Sequence, residues 1–123
     1  MVSKLLYPQE IELWHVLPSL RRELALQLLD LGYTQHHIAK TLGISEPAVS
    51  QYMSHKRASG IKFSSDLNRE ISSSAKVLSV SPHLAFREIM RLLSLPAMRK
   101  LVCSYHQKEG GASSNCEACK HRL

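Results

Sequence analysis

The stretch Gln35–Ser54, QHHIAKTLGISEPAVSQYMS, decides how the rest of the chain is read. It reads as two short helices joined by a tight turn. Gly43 follows Leu42 and is suited to the left-handed conformation that ends a first helix. Ala39 lies where two helices cross closely, a place a bulky side chain would force open. Ile38, Leu42, Ile44, Val49 and Tyr52 form the expected inward face. Ser45, Glu46, Ser50, Gln51 and Ser54 are left to point outward. Thr34 and Ser45 are the expected N-caps of the two helices, and Pro47 falls in the first turn of the second, where a missing N–H costs little.

A helix with a small, polar, hydrogen-bonding outer face is what the major groove of duplex DNA admits. Glutamine donates and accepts at once and can pair bidentately with adenine, so Gln51 is the main candidate for base readout. Ser45, Ser50 and Ser54 can bond to bases or phosphates. Glu46 has two readings: a carboxylate facing the amino group of cytosine, or an acid stabilised at the positive end of its own helix. Gln35 and the adjacent His36 and His37 are candidates for phosphate contact. His55, Lys56 and Arg57 close the second helix and are the motif's own cationic backbone contacts. His36 and His37 diverge by about 100° on a helix and so do not suit a shared metal ion.

On these residues the chain resembles Cro/C1-type (Xre-like) helix-turn-helix regulators with a λ repressor-like DNA-binding domain. Gln35, Ala39, Gly43 and Val49 keep the four- and six-residue spacings of that motif, and GISEPAVSQYMSHKR resembles its recognition-helix stretch. The flanking helices extend a weaker resemblance over roughly residues 9–80. The resemblance implies repression or activation by operator binding, usually as a homodimer on paired half-sites. It does not reach the last 25 residues.

The chain has 123 residues, enough for one small domain with an appendage. Hydrophobic residues make up 44 % with few aromatics, which suits a helical core. No run approaches the ~20 apolar residues that span a bilayer. Glu10, Glu12 and His15 interrupt the first 17 residues, which argues against a secretory leader and for a cytoplasmic protein. The formal net charge is +6, which favours a polyanionic partner. Its distribution tempers that: residues 1–60 hold six Lys/Arg against five Asp/Glu, and residues 61–123 hold ten against five.

Along the chain, Pro8 can open a short helix that turns Ile11, Trp14 and Leu17 toward the core, with Pro18 marking a kink or a new start. Leu20, Leu24, Leu28 and Leu31 make a helical stripe that Gly32 ends. Residues 58–65 read as a loop, followed by a helix from Asp66 to about Leu78. Ser81-Pro82 reads as a cap and first helical position for a helix carrying Leu84, Ile89, Leu92 and Leu93. Leu95-Pro96 starts a last helix that ends near His106, and residues 108–115 read as a flexible linker. The expected class is all-α. Residues 1–60 would carry the DNA-binding helices, 61–107 a helical extension with surface for dimerisation, and 108–123 a Cys-containing tail.

All three cysteines lie near the C-terminus, in the pattern Cys103-x2-His106-x9-Cys116-x2-Cys119. Residues three apart on a helix share a face, and a two-residue gap is that of a metal-binding knuckle. Three centres stay open. Zinc on three thiolates and His106 would be structural. An iron–sulfur cluster on the three cysteines, with His106, His121 or an outside ligand, would sense redox state or iron. The third is free thiols or a labile Cys116–Cys119 disulfide.

The leading expectation is a dimeric, sequence-specific regulator of transcription that binds double-stranded DNA. The alternatives are a non-transcriptional DNA-binding accessory factor, such as an antitoxin, and a zinc-dependent protein adaptor. No paired carboxylates, phosphate loop or Ser/His/Asp set points to an enzyme.

Overall fold

The computed structural model describes residues 5–54, 60–109, 111 and 113. These residues are helical, with short connections and no strand among them. In order they form α1 (Pro8–Ile11), a π-helical turn (Glu12–Val16), α2 (Leu17–Asp30), α3 (Gln35–Leu42) and α4 (Glu46–Met53). After a connecting segment come α5 (Ser65–Val80), a 3-10 turn (Pro82–Leu84), α6 (Ala85–Ser94) and α7 (Pro96–Glu109). The described helices include none long and apolar enough to cross a membrane.

The central helix is α2, which packs on α5, α3 and α4, while α1 packs on α7 and α6 on both α5 and α7. One apolar cluster runs through all of them, from Ile11 and Val16 through Leu24, Val49 and Ile71 to Val102. Residues before and after position 60 thus contribute to the same core.

Local signals account for most helix ends. The side-chain oxygens of Thr34, Ser45 and Ser64 accept from the N–H groups of His37, Ala48 and Leu67, the N-cap bonds of α3, α4 and α5. The α2 and α3 helices end in the same device. Tyr33 N–H donates to the Leu28 carbonyl and Ile44 N–H to that of Ala39, each across a glycine at positive φ, Gly32 at 94° and Gly43 at 67°. A Cβ at either glycine would meet nothing within 4 Å, so backbone conformation alone calls for glycine there.

Several expectations are corrected. Trp14 is 52 % exposed, not in the core. The π-helical turn inserts an extra residue, so the buried positions step from Ile11 by five to Val16 and then to Leu20. Leu31 is also exposed, because it stands at the C-cap of α2 just before Gly32 turns the chain. Ser81 makes no side-chain cap. Pro82 opens a 3-10 turn instead, with Leu84 N–H donating to the Ser81 carbonyl, and α6 starts at Ala85. The α5 helix begins at Ser65 and ends at Val80, wider than Asp66–Leu78. The last helix runs to Glu109, so Lys108 is helical and not part of a linker.

Candidate nucleic-acid interface

The α4 helix is only eight residues long, too short to hold itself in water. Its inner face supplies the missing stability: Ala48, Val49 and Tyr52 are buried against α2 and α3. Ile38, Ala39 and Leu42 of α3 are buried as well, and Ile44 is half-buried. The outer face carries Ser45, Glu46, Ser50, Gln51 and Ser54, all exposed. All ten inward and outward assignments made from the sequence therefore agree with the burial pattern.

Two contacts define how α3 meets α4. Gln35 Nε2 approaches Met53 Sδ at 3.2 Å, and His36 Nδ1 lies 3.3 Å from Glu46 Oε2. Adjacent residues of α3 thus reach opposite ends of α4. An α4 running alongside α3 would bring only one of its ends within reach, so α4 lies crosswise over the first turn of α3. Neither contact was evident from sequence, because each depends on the crossing and not on spacing along one helix.

The polar groups of the outer face differ in how far the protein already engages them. Ser45 Oγ accepts the Ala48 N–H at 3.2 Å and retains its own hydroxyl hydrogen. Ser54 Oγ donates to the Gln51 carbonyl at 3.1 Å and retains its lone pairs. Ser50 and Gln51 occupy the middle of the exposed face. Glu46 stands at the positive start of α4, one of its two expected surroundings, and its carboxylate also meets the imidazole of His36, which was not expected. His37 stacks on the Tyr33 ring at 4.9 Å, and the Tyr33 hydroxyl donates to the Ser79 carbonyl at 2.8 Å, which fixes α3 to the end of α5. The α4 helix ends at Met53 with Ser54 at its C-cap, short of the Arg57 expected to close it, and His55, Lys56 and Arg57 lie outside the described residues.

Of the four candidate metal ligands, Cys116 and Cys119 also lie outside the described residues. His106 is buried, with Nε2 against the Leu6 carbonyl oxygen. A carbonyl only accepts, so Nε2 carries the proton and Nδ1 is the nitrogen left for any ligand. Cys103 is half-buried, one turn from His106, and its sulfur lies 3.9 Å from Gln107 Nε2. The described residues include no group of three or more His, Cys, Asp or Glu side chains placed to hold an ion.

A second polar constellation, missed from sequence, joins α5 to α6. Glu88 is 4 % exposed. Its Oε1 accepts from Ser74 Oγ at 2.8 Å, and its Oε2 accepts from Arg87 Nη2 at 3.2 Å. Arg91 donates to Ser74 Oγ at 2.8 Å and to Glu70 Oε1 at 2.9 Å. Burial pushes the Glu88 carboxyl up, but the Ser74 hydroxyl, Arg87 and Arg91 outweigh it and hold the group below its ordinary value. The only sequence signal was the three-residue spacing of Glu88 and Arg91, common on solvated helices.

Comparison with protein-family models, with curated proteins and with solved structures finds no match for this chain.

Proposed function

We propose that the chain is a sequence-specific duplex DNA-binding regulator of transcription, of the Cro/C1 type, in which α3 and α4 act as a helix-turn-helix. In this reading α4 enters the major groove and α3 crosses the backbone. One observation carries it: α4 is anchored by Ala48, Val49 and Tyr52 and presents Ser45, Glu46, Ser50, Gln51 and Ser54 to solvent, a mostly polar face that also includes Pro47 and Met53. Three of the five are serines, which lose little rotamer entropy on binding; Gln51 loses more and offsets it with a two-point contact. The capped ends and the crossing at Gln35 and His36 hold that face in place.

In this reading Gln51 reads a base and Ser50 supports it, while Gln35, His55, Lys56 and Arg57 contact phosphates. The protein works as a homodimer on paired half-sites and acts by binding, without turnover.

Selection of bound fragments from a random DNA pool tests the proposal. Gln51→Ala is expected to lose roughly 1–3 kcal/mol of discrimination at one base position. An unchanged sequence preference would remove Gln51 from the reading face. Arg57→Ala is expected to weaken specific and non-specific DNA alike and to reduce the slope of affinity against salt by about one contact. A loss confined to one base pair would contradict its phosphate role.

A further inference from the structure

On the flank of the molecule, α6 meets α2 and the turn between α3 and α4 along a groove of about 480 Å3. Its walls are apolar: Leu17, Leu42, Phe86, Ile89, Met90 and Leu93. Phe86 is 87 % exposed and Met90 63 %, an unusual placement for large apolar side chains. The volume is within the range of roughly 300–1,000 Å3 typical of small-molecule sites.

Three basic side chains, Arg21, Lys40 and His83, also line the groove, and Lys40 and His83 are shared with a smaller depression formed with His37 and Thr41. No Asp or Glu is among the described residues lining either part. Neither Arg21 nor Lys40 forms an ion pair among the described residues, in contrast to Arg87 and Arg91 on the far side of α6. The Nε of Arg21 is buried and meets no acceptor.

We infer that this groove is a binding site for a small amphipathic anion, an aliphatic or aromatic chain ending in a carboxylate. The chain lies along Leu17, Phe86, Ile89 and Met90, and the carboxylate meets Lys40 and Arg21. Charge selects this occupant over a second copy of the protein, since two such faces would bring like-charged rims together. A purely apolar ligand would leave the positive charges of Lys40 and Arg21 unmatched. Leu42 and Gly43 form part of the wall and also join α3 to α4, so occupancy bears on the reading helix. That consequence rests on the DNA-binding proposal; the site itself does not.

Titration calorimetry of the full chain with octanoate, octanol, octylamine and inorganic phosphate tests the site without DNA. Octanoate is expected to bind at one site, octanol about tenfold more weakly for want of the charged hydrogen bonds, and octylamine and phosphate not measurably. Lys40→Gln is expected to reduce octanoate affinity about tenfold and leave octanol unchanged. Met90→Ser is expected to weaken both. Lys40 and Met90 are exposed, so both variants are expected to fold, which circular dichroism verifies. Equal affinity for all head groups, phosphate binding as tightly as octanoate, no binding of octanoate, or indifference to both substitutions would each overturn the inference. Loss of DNA binding with octanoate binding intact would count against the regulator proposal alone.

Discussion

The α4 and α6 helices divide their residues between core and surface in opposite senses. On α4 the buried side chains are Ala48, Val49 and Tyr52, and the exposed ones are mostly polar. On α6 the buried residues are Leu92 and the charged Glu88, while Phe86 and Met90 face solvent. The first arrangement follows from apolar burial alone. The second requires a partner, because a buried carboxylate is tolerated only where donors replace the water it has lost. Ser74 of α5 and two arginines provide them. The outward faces differ accordingly: one offers hydrogen bonds to a polar surface, the other apolar area beside Arg21 and Lys40.

The sharpest way to break this contrast is Glu88→Ala. Removing the carboxylate from its donors is expected to cost roughly 2–3 kcal/mol, read from urea unfolding with an unchanged slope. The pH dependence has a definite sign. The folded value of Glu88 lies below the unfolded one, so its contribution is complete above an unfolded value of about 4.3. It is lost as pH falls through the lowered folded value, where wild type and variant should converge. A loss that does not change across this acid range would mean that packing, not charge, holds α6.

Gly43→Ala tests the other side of the comparison and is expected to cost about 1 kcal/mol. The cost comes from forcing alanine to a φ of 67°, since its methyl would meet open space. No change in unfolding midpoint would show that the turn between α3 and α4 relaxes freely. The smallest effect is expected for Phe86→Ser, within about 0.5 kcal/mol, as for a surface position outside the core. A large loss there would mean that Phe86 is covered in solution, and sedimentation would then reveal association.

The two helices were also unequally legible. For α3 and α4 both starts, the turn and each face are written in residues near one another: Thr34 and Ser45 as caps, Gly43 as the turn, Ile38, Val49 and Tyr52 at helical spacing; only the end of α4, at Met53, falls short of the sequence reading. For α6, the Ser81-Pro82 signal resembles a helix start and yields a 3-10 turn instead. Nothing local indicates that Glu88 is buried, since its donor Ser74 lies on another helix. Trp14 was misassigned because a π-helical turn shifts the phase of every later residue without marking the sequence. His106 was read for its distance from Cys103, yet its ring nitrogen meets the carbonyl of Leu6 at the other end of the chain.

The sequence alone settled the all-helical class, the Thr34 and Ser45 caps, the glycine turns and the two faces of α4. These depend on φ preferences, on short-range hydrogen bonds and on a 3.6-residue period, all contained within a few consecutive residues. Tertiary structure alone decided the crosswise seating of α4, the burial of Glu88 and the apolar groove beside Lys40 and Arg21. Each joins residues far apart in the chain, and the free energy of such a contact belongs to the pair and not to either residue's neighbours.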